Sequence, residues 1–271
     1  MATKSALKAP KICVVISDLH CGSDVGLLPK TVEMEDGHTV GHGKNRWQKW
    51  LWESWEDAMR RLLATIGTSP FHLVLNGDMI EGVHHRSDEV VAMKLVEHLR
   101  IAKTALDPLV KKAAEITVIR GTECHTHDFE TVLARQIGQE KAYDFRQVEI
   151  NGVLCDIRHH MPVTSRLHLE ASAMSIVIAN NRSNAIRSRH RAARVFIRGH
   201  RHIAGMFSDG ESMILCTGAW QGLTRHGKKV VSDAVPRPSI GILDFRHASF
   251  GELPAVSQLV YNPPQWLAIE H

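Results

Sequence analysis

Five short apolar runs in this chain each end in residues that can bind a metal ion. Residues 11–17 lead into Asp18-Leu19-His20, and residues 71–75 into Asn76-Gly77-Asp78. Residues 116–119 precede Arg120-Gly121-Thr122-Glu123-Cys124-His125, and residues 153–157 precede Arg158-His159-His160. Residues 195–197 precede Arg198-Gly199-His200-Arg201-His202. Carboxylate oxygens and imidazole nitrogens together suit manganese, iron, zinc or nickel. The Asp-x-His and His-x-His spacings let two side chains converge on one ion from an extended turn, and a neighbouring glycine lets the backbone bend sharply and approach closely. Any one of these patterns alone reads as a turn or a surface pair. The five cysteines, Cys13, Cys21, Cys124, Cys155 and Cys216, are odd in number, lie far apart and show no CxxC spacing, so neither a disulfide framework, a structural zinc nor an iron–sulfur cluster is indicated.

The runs that deliver these groups are rich in β-branched residues and nearly continuous in apolar character, the pattern of strands buried on both faces. Between them, helical periodicity covers residues 46–66, about 89–114, 129–139 and 165–191. Strand alternating with helix predicts α/β packing, and in such sheets ligands gather beyond the carboxyl ends of the strands. Toward the C-terminus, residues 212–216, 239–245 and 253–261 read as strands with little helix between them, which predicts a second sheet face completing a sandwich. Residues 22–45 and 222–238 resist assignment and read as loops near the site. In the first helix Trp47, Trp50, Leu51, Trp55, Ala58, Met59 and Leu62 recur at helical spacing, so its indoles are read as a core face in preference to a nucleic-acid stacking surface.

A length of 271 residues fits one domain, 1–271, built on a single large core. With 44% hydrophobic and 23% charged residues the composition is that of a globular protein, which excludes disordered and fibrous classes. No stretch approaches the roughly 18 apolar residues of a membrane span, and residues 1–11 lack the apolar centre of a signal peptide, so a cytoplasmic chain with no membrane partner is expected. A net charge of +4, with eighteen histidines uncounted, favours anionic partners.

Taken in order, Asp-x-His, Gly-Asp, a Gly-and-His segment, His, and Gly-His-x-His, each behind a β-run, resemble the calcineurin-like metallophosphoesterase family over Asp18 to His202. The resemblance implies a four-layer αββα fold, a two-sheet β-sandwich flanked by helices. It implies two divalent transition metal ions and attack on phosphorus by a hydroxide they hold. Asp18, His20 and His202 correspond to ligands of one ion, Asp78 to a carboxylate bridging both, and His200 to a ligand of the second. A further ligand of the second ion is His159 or His160, with His159 preferred because it comes first after its strand.

The departure is at Gly121 to His125, where the family usually has Gly-Asn-His followed by an acidic residue. Glu123 is the candidate for the missing oxygen ligand and His125 for the substrate-facing, catalytic histidine, with Thr122 and His127 as competitors. Arg198, Arg201 and His85 are candidates for contact with substrate phosphate, although His84-His85-Arg86 also reads as a polar loop. The run Arg182, Arg187, Arg189, Arg191 and Arg194 reads equally as a phosphate-rich ligand surface or a solvated helix face. His38 and His42 are not read as ligands. The expected activity is that of a manganese-type phosphodiesterase or nuclease-like enzyme on nucleotide or nucleic-acid diesters. The alternatives are a phosphomonoesterase or protein phosphatase, and a nucleic-acid-binding protein with impaired catalysis.

Overall fold

The structure is a computed structural model that describes residues 9–83, 88–126, 128–162, 169–189, 191–230, 236–248 and 252–265. In chain order its first half contains β1 (Ile12–Ile16), β2 (Val32–Glu33), β3 (Thr39–Val40), α1 (Arg46–Ile66), β4 (Phe71–Asn76), α2 (Leu95–Val110), β5 (Glu115–Ile119), α3 (Glu123–Thr126) and α4 (Phe129–Gln136). The second half contains β6 (Phe145–Ile150), β7 (Val153–Arg158), α5 (Glu170–Ser188), β8 (Val195–Arg198), β9 (Gly205–Ser208), β10 (Met213–Cys216), α6 (Arg225–Val230), β11 (Ser239–Asp244) and β12 (Ala255–Val260).

Two five-stranded mixed sheets result, ordered β12-β11-β1-β4-β5 and β6-β7-β8-β10-β9. Strands β1, β4 and β5 run parallel, as do β7, β8 and β10, because helices or long crossovers return the chain to the same end each time. Alternation along each strand then divides the apolar residues between layers. Cys13, Val15, Val74 and Leu243 of the first sheet meet Cys155, Ile157, Val195, Ile197 and Leu215 of the second in the centre of the sandwich. Ile12, Val14, Ile16, Leu73 and Leu75 face outward onto the apolar sides of α1, α2 and α4. On the other outer face Phe196, Ile214 and Cys216 pack against Met174 and Ile178 of α5. The fold is therefore α/β with two mixed sheets between helical layers.

The first helix starts where Asn45 caps it, its side chain accepting the Gln48 N–H, and it ends at Gly67, whose positive φ of 58° suits glycine. Trp47, Leu51, Trp55, Ala58 and Leu62 are buried in the helix-side core, with Trp55 edge-on to Trp220. Two expectations need correction. Strands β11 and β12 do not extend the second sheet: β11 pairs antiparallel with β1 and β12 with β11, and only β10 joins the second sheet. The two stretches read as loops also carry short elements, the β2–β3 pair and α6. Apolar pattern identifies a buried strand but not the edge to which it pairs.

His72 of β4 lies nearly buried, its Nε2 2.8 Å from Thr117 Oγ1. Burial, and after it the Arg146 cation, push its pKa down to about 4. Because the folded value lies below that of an unfolded histidine, the folded state binds fewer protons, and stability is lost as pH falls from about 6.5 toward 4. The expected size is roughly 3 kcal/mol. Urea midpoints for wild type and His72→Gln at neutral and acid pH should show a smaller acid loss in the variant; equal losses refute the assignment.

Candidate metal centre

The carboxyl ends of β1, β4, β5, β7 and β8 all open at one edge of the sandwich, and their terminal residues meet there. Asp18, His20 and His202 form one group of potential ligand atoms, Asp18, Asp78 and His159 a second, and His159, His160 and His200 a third. The groups share Asp18 and His159, so they form one continuous centre. His159 Nε2 lies 3.0 Å from Asp78 Oδ2 and 3.8 Å from Asp18 Oδ1. His202 Nε2 lies 3.5 Å from Asp18 Oδ1 and 3.1 Å from His20 Nε2.

The backbone is shaped for this convergence. Asp18, His20, Asp78, His200 and His202 all have φ between 45° and 67°, the left-handed region that side chains with a Cβ rarely adopt. Each such residue costs on the order of 1–3 kcal/mol and persists only where its surroundings hold it. Asp18 is held by its N–H to the Gly77 carbonyl and His20 by its N–H to the Asp78 carbonyl, which tie the first two strand ends together. The His200 N–H donates to the Asp18 carboxylate, tying in the fifth. A Cβ on Gly121 would overlap the Asp78 carboxylate, so glycine lets the third strand end approach.

The hydrogen bonds also fix which nitrogen of each imidazole faces inward. His159 Nδ1 donates to the Asn76 carbonyl at 2.7 Å, an atom that can only accept. His20 Nδ1 donates to Glu81 Oε2 at 2.8 Å. Thr122 Oγ1 donates to Asp78 Oδ2 at 3.0 Å and so accepts from His200 Nδ1 at 3.2 Å. In the neutral rings of His20, His159 and His200 the lone pair is therefore on Nε2. Buried lone pairs turned toward buried carboxylates repel unless a cation or proton lies between them, and a ring held through its outer nitrogen is the usual arrangement for a metal-binding histidine. The donor set fits divalent transition metal ions.

Charge supports the same fit. Burial pulls His159 down, but the Asp78 and Asp18 carboxylates outweigh it and raise its pKa to about 10. Burial would raise both carboxyls, yet His159, with His202 for Asp18 and with His20 and His125 for Asp78, holds them below the usual range. Burial and the neighbouring His159 push His200 down to about 4, which keeps it neutral and free to ligate. Without a metal, His159 is protonated up to about pH 10, so a cation there must displace its proton. Metal affinity should therefore rise with pH through the neutral range, by about tenfold per unit for each proton released. Calorimetric manganese titrations in buffers of different ionisation enthalpy should report release of about one proton or more; binding without proton release refutes this charge state.

Of the residues singled out from sequence, Asp18, His20, Asp78, His159, His200 and His202 come together. His160 comes too: it is exposed, and its ring stands edge-on to both His159 and His200. His125 lies beside His20, their ring centroids 4.9 Å apart, and its Nδ1 donates to the Glu81 carbonyl at 2.9 Å. Glu123 does not join them. It begins α3 with its side chain exposed, while Thr122 is the residue that reaches the centre, its N–H 2.6 Å from Asp78 Oδ1. Arg198 turns inward, donating to the Asp156 and Ile197 carbonyls and to Asp156 Oδ1, so it braces β7 against β8 instead of reaching for substrate. Arg201 is largely buried against Glu170 of α5 in an ion pair. His85 and His127 lie outside the described residues. In the arginine run Arg182 pairs with Asp209 and Arg191 with Glu149, while Arg194 donates to the Glu211 carbonyl.

Glu81 escapes the motif reading. It is 4% exposed, holds His20, and accepts from Gln221 Nε2 at 2.7 Å. Its signal in the sequence is a lone carboxylate three residues past Asp78, behind the apolar pair Met79-Ile80. Glu81→Gln keeps the shape but removes the charge that orients His20, and should weaken metal binding by about 10–100-fold. A competitive chelator titration reading unchanged affinity refutes this role.

In its layers, in the order of its motifs and in the residue types at its site, the chain resembles the calcineurin-like metallophosphoesterases. No family model matches the sequence, and no curated protein matches it. Among solved structures, an archaeal phosphodiesterase is 14% identical with a TM-score of 0.44, covering 92% of this chain and 99% of its own. The phosphoesterase Yfce from E. coli is 13% identical with a TM-score of 0.42, covering 91% and 98%. Wild-type Vps29 complexed with zinc, from Entamoeba histolytica, is 11% identical with a TM-score of 0.43, covering 93% and 98%. At such identities and TM-scores these likenesses decide nothing about activity or substrate. No helix among the described residues is long and apolar enough to cross a membrane.

Proposed function

We propose that this chain is a dinuclear metal-dependent phosphoester hydrolase acting on phosphodiesters of the nucleotide type. The observation that carries the reading is the continuous centre, in which Asp18, His20 and His202 adjoin Asp78, His159, His160 and His200 through the shared Asp18 and His159. The first set would hold one divalent ion and the second another, with Asp78 between them. When bound, such ions acidify water near neutral pH and neutralise charge building on the phosphoryl oxygens.

The chain's own groups do the rest. Asp18 and Asp78, both buried, fix the centre against the two strand ends that carry it. His125, with Nδ1–H committed to the Glu81 carbonyl, would turn Nε2 toward the leaving oxygen, and only as the imidazolium, with both ring nitrogens protonated, would it hand that oxygen a proton. Thr122 takes the place of the family's asparagine, its hydroxyl bridging Asp78 and His200. That replacement is also what favours a second reading, a protein that keeps the fold and binds nucleotides or nucleic acid without catalysis. A nucleotide-sized substrate is preferred to a polymer because much of the arginine run is held by acidic or carbonyl partners.

The test is manganese-dependent hydrolysis of bis(p-nitrophenyl) phosphate beside the p-nitrophenyl monoester, with metal content measured on the same protein. Metal uptake with faster diester cleavage supports the proposal. Faster monoester cleavage moves the chain to the phosphomonoesterases, and neither uptake nor cleavage overturns the hydrolase reading in favour of the binding protein.

A further inference from the structure

On the far side of His160 from His159 and His200, the ends of β7 and β8 and the face of α5 line an open pocket of about 230 Å³. Among the described residues its charged lining is Asp156, Arg158 and Arg198, one cation in excess. Asp156 and Arg198 are 1% and 4% exposed and neutralise each other through a 2.7 Å contact. The excess charge is therefore on Arg158, whose side chain is 48% exposed.

Arg158 is held in place before any ligand arrives. Its Nε and one Nη donate to the two oxygens of Asp156 at 3.2 and 3.4 Å, and its guanidinium carbon stands 4.7 Å from the centroid of the Phe145 ring. Phe145 and Arg158 are opposite one another in the β6–β7 pair, so the stacking follows from register. Of five guanidinium N–H groups two are thus spent, and among the described residues the others have no acceptor. Asn180 and Asn184, one helical turn apart on α5, also line the pocket, and an asparagine amide can donate as well as accept. A fixed cation with unspent donors and, among the described lining residues, no uncompensated carboxylate is a receptor for an oxyanion.

We propose that this cavity binds a second phosphate of the substrate, one joined to the scissile diester and carried past His160 onto Arg158. The inference rests on the hydrolase reading above and narrows it to diesters bearing a further phosphate, such as phosphorylated nucleotide esters. The probe is a pair of chromogenic esters, p-nitrophenyl thymidine 5′-phosphate with and without a 3′-phosphate, assayed beside bis(p-nitrophenyl) phosphate. One charge-assisted contact predicts that the 3′-phosphate raises kcat/KM, mainly through KM, by about tenfold or more. Arg158→Gln should bring the ratio of the two thymidine esters toward one, and Arg158→Lys should restore part of it. Hydrolysis with no advantage for the phosphorylated ester, or an advantage that survives in Arg158→Gln, overturns the subsite alone. Failure to cleave any of the three esters overturns the hydrolase reading and takes the subsite with it.

Discussion

Asp78→Asn is expected to lose bound metal and hydrolysis together. Asp78 lies 3.0 Å from His159 Nε2, accepts two hydrogen bonds from Thr122 and stands beside Asp18, so it connects the two halves of the centre. Asparagine keeps the shape but removes the negative charge and replaces one oxygen with an N–H donor, which cannot ligate a cation. Changes to groups that only orient a ligand cost about 10–100-fold in metal affinity or activity, and removal of a shared ligand should exceed the upper end of that range. Three readouts separate loss of function from loss of fold. Wild type should purify with or take up about two equivalents of metal, gain thermal stability when manganese is added because only the folded state binds it, and hydrolyse the diester. The variant should still unfold cooperatively without metal, at a lower temperature because the buried Asp78–His159 pair is broken, while losing uptake, the manganese-induced gain and the activity. A variant that still loads two equivalents refutes the bridging position.

His125→Ala should have the opposite metal phenotype. His125 touches the centre from the Glu81 side with its ring edge-on to His20, yet its loss leaves Asp18, Asp78, His159, His200 and His202 in place. Metal content is expected to stay near wild type while kcat falls by about 10²–10⁴-fold, the usual worth of a positioned proton donor. The size should depend on the leaving group. An alkoxide needs a proton as its bond to phosphorus breaks, whereas p-nitrophenolate is stable enough to depart without one, so the loss should be largest for a nucleoside ester and smallest for the nitrophenyl one. Equal losses for both esters, or loss of metal, would instead place His125 among the ligands of the group it shares with His20 and Glu81.

Much of this site can be read from the chain because its parts are local. A buried strand must end where apolar residues stop, and the polar residues beyond it are fixed in sequence at Asp18-x-His20, Gly77-Asp78 and Gly199-His200-Arg201-His202. The indole stripe of α1 is legible for the same reason, since a period of 3.6 residues says which side is buried without knowing what covers it. Strands β6 and β9 are harder to see. They are edge strands whose exposed and half-buried residues alternate, so neither makes a continuous apolar run.

The sequence by itself determined the residue types, their order and the periodicity that places them at strand ends, because these depend only on neighbours along the chain. The tertiary structure decided everything that depends on direction. At Gly121-Thr122-Glu123 the start of α3 sends Glu123 to solvent and leaves Thr122 against Asp78, a difference of one residue that composition cannot resolve. Arg198 follows the buried face of β8 inward to Asp156, while Arg158, at the end of the preceding strand β7 and unremarkable as a motif, remains half exposed beside Phe145. Glu81 acquires its part only because the His20 ring, 61 positions away in the chain, is turned toward it. A side chain's type fixes which bonds it can make; the packing of two sheets and their helices fixes which of those bonds are within reach.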